Sequence, residues 1–293
     1  MTADIRKIVE YVNSHPKRQD YIGVFEENID YVKLGGYIAE SGKTVILDYT
    51  TEMMKNSVLY NGAPEVSKLP ALYTTEIAVC EEETVAAGKK LADEGCNPVL
   101  LSFANRSTPG WGVRIGYPSQ ENSLLRRSDL FASIFQFDKS CAEATGISCK
   151  SGNQYPMDRN VGGLYSPGVT FFRGGNCIEL LDEPYLLSVI SMSAIYSPDL
   201  DKNGRLTESM IYGYIQKIRT LFRIALSNGH NAIVLGAWGC GDGGTPSGHL
   251  AEIFCNILLE NEFQNKFLKI VFAIYNNPCA LKSFRENICQ LNF

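Results

Sequence analysis

The sequence has no long apolar run. Nowhere do about 18 consecutive apolar residues occur, the least that a bilayer-spanning helix needs, so no membrane segment is expected. The first residues, Met1 to Val12, lack an apolar leader core and a small-residue cleavage site, so secretion is not expected either. Nine cysteines form no C-x-x-C pair, which excludes a zinc ribbon and a dithiol redox motif. The number is odd, and several of Cys80, Cys96, Cys141, Cys149, Cys177, Cys240, Cys255, Cys279 and Cys289 sit in apolar runs, as buried free thiols do. A reducing, cytoplasmic compartment is the expectation. Only three histidines are present, His15, His230 and His249, too far apart for a metal-ligand spacing or a nucleophilic triad. Neither metal nor organic cofactor is expected. The net charge of −5 argues against generic affinity for nucleic acid, whose backbone needs a basic surface. No internal repeat occurs.

What is present describes an ordinary globular chain, 45% hydrophobic and 20% charged over 293 residues, long enough to bury a sizeable core. Ile5, Ile8, Val9 and Val12 recur at helical spacing until Pro16 ends the helix. From Tyr21 to Tyr60, short β-branched and aromatic runs broken by Gly35-Gly36 and Ser41-Gly42 read as small strands and turns. Ile77 to Val79 reads as the first strand of the main domain, and Glu81-Glu82-Glu83 leads a helix over Val85 to Leu91, with carboxylates where the macrodipole favours them. Ser140 to Asn160 is polar and without period, an excursion over the surface. Strands are expected at Val169–Phe172, Leu186–Met192, Ala232–Leu235 and Lys269–Ile274, and helices at about 207–227 and 248–260. Strands alternating with helices imply a mostly parallel, helix-covered sheet. Residues 1–74 are expected as an N-terminal extension and 75–293 as the main domain.

One stretch organises the rest. Val99 to Phe103 reads as a strand buried on both faces; it breaks at Ala104 and enters Pro109-Gly110-Trp111-Gly112. Gln120, Glu121 and Asn122 then open a helix ahead of Leu124, Leu125 and Leu130. Strand, glycine loop and a carboxylate at a helix entrance can present a phosphate-bearing ligand to an acid. A second such loop, Gly236 to Gly244, follows the strand Ala232–Leu235, and its five glycines in nine residues suit a diphosphate. Ligands in α/β sheets lie at the carboxyl ends of strands, so both loops are expected on one rim.

The run from Asn97 to Asn105, then Pro-Gly-Trp-Gly at 109–112, Gln120-Glu121 and Leu124 to Ser128, resembles the bacterial-type poly(ADP-ribose) glycohydrolase family, a branch of the macrodomain fold. The likeness continues in Tyr165 to Val169, Phe172-Arg173 and Leu235 to Gly241. It implies a three-layer α/β/α macrodomain with a mostly parallel mixed sheet, binding ADP-ribose. That family carries Gly-Gly-Gly and Gln-Glu-Glu where this chain has Gly110-Trp111-Gly112 and Gln120-Glu121-Asn122. Its second Glu is the main catalytic residue, and Asn122 replaces it. The resemblance further implies ligand contacts at Asn105 (distal ribose), Gly110, Trp111, Gly112, Gln120, Gly239, Cys240 and Gly241, with Glu83 at the adenine unless it only caps its helix.

Cleaving the ribose anomeric bond requires a proton donor for the leaving atom and a placed water. Glu121 is the first candidate. Asp242 and Asp129 are candidates for a relocated second acid, although on a straight helix Asp129 stands about 12 Å and about 80° from Glu121 and reaches it only if the helix breaks. The expected activity is removal of ADP-ribose from modified protein, single units in preference to chains, and extra acids, which would suit a guanidinium, admit arginine-linked units among them. Trp111 is expected either to stack on a ring or to anchor its loop on the core. The expected partners are ADP-ribose and ADP-ribosylated protein. The rival readings are an ADP-ribose-binding module without turnover, a poly(ADP-ribose) glycohydrolase, and an enzyme for free ADP-ribose conjugates.

Overall fold

The computed structural model describes residues 4–15, 18–66 and 70–288. The chain opens with α1 (Ile5–Ser14) and α2 (Tyr21–Leu34), an antiparallel pair β1 (Gly36–Ile38) and β2 (Thr44–Ile46), then α3 (Thr50–Asn56) and β3 (Val58–Tyr60). It continues with β4 (Glu76–Cys80), α4 (Thr84–Asp93), β5 (Pro98–Phe103), α5 (Gln120–Arg127), α6 (Leu130–Phe135) and α7 (Lys139–Thr145). Two long strands, β6 (Gly163–Arg173) and β7 (Leu180–Met192), precede α8 (Glu208–Ser227), β8 (Ala232–Leu235), α9 (Ser247–Leu258), β9 (Lys269–Ala273) and α10 (Pro278–Ile288).

Seven strands form a sheet in the order β3-β6-β7-β5-β8-β9-β4. Within it β5, β8, β9 and β4 pair in parallel, as the alternation of strands and helices predicted. β8 is buried at every position and β5 at all but its last, which is why both read as unbroken apolar runs. No described helix is long and apolar enough to cross a membrane. The eight cysteines among the described residues are free thiols; Cys289 and Pro16 lie outside those residues.

The stretch after Tyr21 departs from expectation: strands and turns were predicted, and a fourteen-residue helix, α2, stands first. Asp20 caps it by accepting the N–H groups of Ile22 and Gly23, and Gly35 closes it in the left-handed region at φ 75°. Val24, Phe25, Glu27, Asn28, Ile29, Tyr31 and Val32 are all buried, so the helix has too little polar face to betray its period.

The chain divides into two compact units of three segments each. The first comprises Met1–Leu59, Ala104–Pro156 and Ser166–Val189; the second comprises Tyr60–Phe103, Met157–Tyr165 and Ile190–Phe293. The boundary expected at residue 74 falls inside a segment of the second unit.

In the first unit Phe25 of α2 meets Phe131 and Phe135 of α6 edge-on, at 5.5 and 6.1 Å. Beside them lies a buried polar lattice. Arg173 of β6 pairs with Glu27 at 2.8 Å and donates from Nε to Asn28 at 2.7 Å. Asn28 in turn donates to the carbonyls of Leu125 and Arg126 at the end of α5. Opening the Arg173–Glu27 pair from one side would strand a buried charge, at a cost of about 3–5 kcal/mol. The polar stretch from Ser140 to Asn160 begins in the first turn of α7 and is tied down beyond it, because Lys150 Nζ donates to the carbonyls of Met54, Lys55 and Ser57 at the end of α3. In the second unit α8, α9 and α10 bury Phe222, Phe254, Phe272 and Phe284 with β8 and β9.

Candidate active site

β5 brings the chain to Asn105, whose side-chain Oδ1 accepts the N–H groups of Ser107 (2.9 Å) and Thr108 (3.0 Å) and so turns it. Gly110 follows at φ 62°, and a Cβ there would lie 2.7 Å from Leu125 Cδ1 and 3.0 Å from Phe135 Cε1. Only glycine lets this loop settle onto α5 and α6. The result is a collar around one carboxyl group. The Asn105 N–H donates to Glu121 Oε2 at 3.2 Å and the Gly110 N–H to Oε1 at 3.0 Å.

Glu121 stands in the first turn of α5, which is capped by Ser119 accepting the Asn122 N–H, and it is 3% exposed. Burial pushes its pKa up to about 8, against the smaller opposing pull of the two N–H groups. The carboxyl therefore holds its proton at neutral pH. Both oxygens accept backbone N–H groups, so the acid O–H remains available to donate.

Asn122, at 0% exposure, cannot supply a proton. Its Nδ2 donates to the carbonyls of Trp111 (3.1 Å) and Tyr117 (3.0 Å), tying the two ends of the Trp111–Tyr117 turn to α5, while its Oδ1 has no partner within the protein. The amide is a latch on the loop. Trp111 is 49% exposed and meets Tyr117 edge-on at 5.2 Å, so it is no core anchor. Gln120, which directly precedes Glu121, is half-buried.

The helix does break, since Ser128 is fully extended between α5 and α6, yet Asp129 turns inward to 0% exposure. Its carboxylate accepts Thr50 Oγ1 at 2.6 Å and the Thr170 N–H at 2.8 Å, holding α3 and β6. Burial raises its pKa to about 6. Both of its oxygens thus tie α6 to the neighbouring elements.

In the second unit the loop after β8 is wound tightly. Trp238 is fully buried, donates from Nε1 to the Met192 carbonyl at 3.2 Å and meets Tyr214 edge-on. The N–H groups of Trp238, Cys240, Gly244 and Thr245 bond to carbonyls of the loop itself, so these four are not open to a diphosphate. Gly239 lies at φ 80° with Ala194, Thr245 and Tyr214 packed against it, whereas Gly241 and Asp242 are exposed. Cys240 is half-buried, and burial pushes its thiol up to about 12, so it is no nucleophile. Glu83 occupies the cap position of α4 without a side-chain capping bond. His230 and His249 serve structure: the first meets Tyr165 Oη and the Asn97 carbonyl, the second accepts the Leu206 N–H. Among the described residues no group of three His, Cys, Asp or Glu side chains could hold a metal.

The model of the microbial-type PARG catalytic domain, PARG being poly(ADP-ribose) glycohydrolase, matches residues 26–174. The chain belongs to this family. The PARG match starts within α2, in the segment expected as an extension. Among solved structures, Thermomonospora curvata PARG bound to the inhibitor ADP-HPD shares 26% identity over 92% of this chain and 99% of its own, with a TM-score of 0.73. Deinococcus radiodurans PARG in complex with ADP-ribose shares the fold at 24% identity and TM-score 0.63, over 83% and 98% of the two chains. No curated protein sequence matches significantly. As a member of the PARG family the chain is a glycosidic-bond hydrolase, of the type that acts on ADP-ribose.

One side chain of this PARG-type chain that bears on Glu121 escaped the sequence. Tyr155 is buried with its hydroxyl unpartnered; burial raises its pKa well above the usual phenol value, and the Glu121 charge adds to the rise. It lies in the period-less polar stretch, where nothing marked it.

Proposed function

We propose that the chain removes ADP-ribose from modified protein by hydrolysing the bond at the distal ribose, favouring single units over chains and including units attached to arginine. The observation that carries this reading is Glu121, a buried carboxyl gripped at both oxygens by backbone N–H groups and protonated at neutral pH. The neutral acid gives its proton to the leaving atom as the anomeric bond breaks. Water then attacks the oxocarbenium-like carbon and returns a proton to the carboxylate, so the acid is regenerated and free ADP-ribose is released. One carboxyl suffices for both transfers, which accommodates the amide at position 122.

Asp242 remains the proposed second acid, at an exposed position on its own loop. Asn105 is the proposed ribose contact, and Gly110, Trp111, Gly112 and Gln120 the surrounding ones; Gly239, Cys240, Gly241 and Glu83 are the proposed contacts of the second unit. The test is a linkage panel: arginine-, serine- and glutamate-linked ADP-ribosyl proteins beside poly(ADP-ribose) chains. Faster turnover of single units supports the proposal; release from chains alone returns the chain to ordinary PARG activity. A reader without turnover is the second reading, favoured by the amide of Asn122, and binding with no release from any substrate would establish it.

A further inference from the structure

The loop that grips Glu121 carries an apolar surface on its outer side. Trp111 (49% exposed), Ile115 (71%) and Tyr117 (37%) belong to the loop; Tyr21 (44%) and Ile22 (41%) come from the first turn of α2. They are contiguous. Trp111 and Tyr117 are in ring contact, and a Cβ built on Gly116 would lie 3.4 Å from Ile22 Cγ1 and 3.6 Å from Tyr21 Cβ. Arg126 joins the two parts from below, with its guanidinium 4.1 Å from the Tyr21 ring centre and Nη1 donating to the Tyr117 carbonyl. A connected cluster of five exposed large apolar side chains is unusual on a soluble protein and marks a contact surface.

We infer that this surface docks the polypeptide that bears the ADP-ribose. Resting on the reading above, this adds where the protein part of the substrate sits. Two observations choose the occupant. The first is continuity: Trp111 immediately follows Gly110, whose N–H holds Glu121, so a chain on this surface adjoins the acid. The second is charge. Each further unit of a poly(ADP-ribose) chain brings two phosphate charges, which need cations. Here Arg126 is 2% exposed and lies beneath Tyr21, so that Arg114, exposed and with Nη2 donating to the Ala144 carbonyl, is one cation beside five exposed apolar side chains. Aromatic and aliphatic faces suit the side chains of a polypeptide instead.

The test uses Ile22→Ser with Ile115→Ser, two exposed positions outside the Glu121 collar. Turnover and equilibrium binding are measured with a mono-ADP-ribosylated protein, with poly(ADP-ribose) chains and with ADP-ribosyl-agmatine, a conjugate lacking a polypeptide. The expected result is at least a fivefold rise in KM and Kd for the modified protein, kcat unchanged, and no change on the other two. Equal loss on the agmatine conjugate, loss confined to the polymer, or no change anywhere overturns the inference. If the wild type turns over none of the three, the hydrolase reading fails by itself, and the Kd comparison still decides the docking surface.

Discussion

The two tryptophans stand in two glycine loops of similar composition and opposite construction. Trp111 is half exposed on a loop whose Gly110 packs against side chains of α5 and α6, and which directs two backbone N–H groups, those of Asn105 and Gly110, to a carboxyl. Trp238 is fully buried under a loop that bonds largely to itself. Glycine count made the loops look equivalent. Both loops bond to themselves, the first through the N–H groups of Val113, Ile115, Gly116 and Tyr117 and the second through those of Trp238, Cys240, Gly244 and Thr245; what distinguishes the first is that it also turns the N–H groups of Asn105 and Gly110 onto an acid. Glycine content alone therefore does not tell such loops apart; the group to which their remaining backbone donors are directed does.

The comparison breaks most visibly at Glu121. Glu121→Gln keeps the shape of the side chain and removes the proton, so turnover should fall by roughly 10²–10⁴-fold while ADP-ribose affinity in calorimetry changes little. Unchanged turnover would move the chemistry elsewhere. Asp242→Asn, assayed in parallel, asks the same of the second loop. Glu121 also sets a pH dependence. Its pKa is higher folded, at about 8, than its ordinary value of 4.5, so the folded state holds the proton more tightly. The stabilisation is complete below about pH 4.5 and lost as pH rises through about 8, at up to about 1.4 kcal/mol per pH unit. Denaturant titrations across that window should show the decline in the wild type and not in Glu121→Gln. Asp129, raised to about 6, adds a narrower decline below pH 6 in both.

Next in size is the contrast between the tryptophans. Trp238→Ala removes a fully buried indole and its bond to Met192, and should cost about 3–5 kcal/mol in chemical denaturation. Trp111→Ala should stay within about 0.5 kcal/mol, as surface changes do. Similar losses from both would mean that Trp111 is an anchor after all. Between these lies Asn122→Asp, which sets a carboxylate against the carbonyls of Trp111 and Tyr117 in a site with no exposure. It should cost about 1–3 kcal/mol at neutral pH and less in acid, where the protonated side chain can still donate one bond.

Much of the fold could be read from residues in order. Val99 to Leu101 and Ala232 to Leu235 are apolar at every position because both faces are covered, and they are strands where expected. The long α8 showed its stripe because its outer face meets water. α2 did not, since burial on nearly all sides erases the period by which a helix is recognised. The site was legible in part. Glu121 was singled out by its place at a helix entrance, whereas the role of Asn122 depends on how the turn just ahead of it places the Trp111 and Tyr117 carbonyls, and that of Asp129 on partners far along the chain, Thr50 and Thr170. A lone side chain type carries no information about which distant carbonyl or hydroxyl it will meet.

The smallest expected effect tests the open tip of the second loop. Gly241 is exposed, its backbone is not in the left-handed region, and a Cβ there meets nothing within 4 Å. Gly241→Ala should therefore leave thermal stability within about 0.5 kcal/mol of the wild type. A methyl group on a tip that approaches a diphosphate would still weaken ADP-ribose binding, because glycine at such a place serves the close approach of ligand to backbone. A lower affinity at equal stability assigns that tip to the ligand. Equal affinity leaves the second loop as scaffold, with the recognition of ADP-ribose resting on groups other than this glycine.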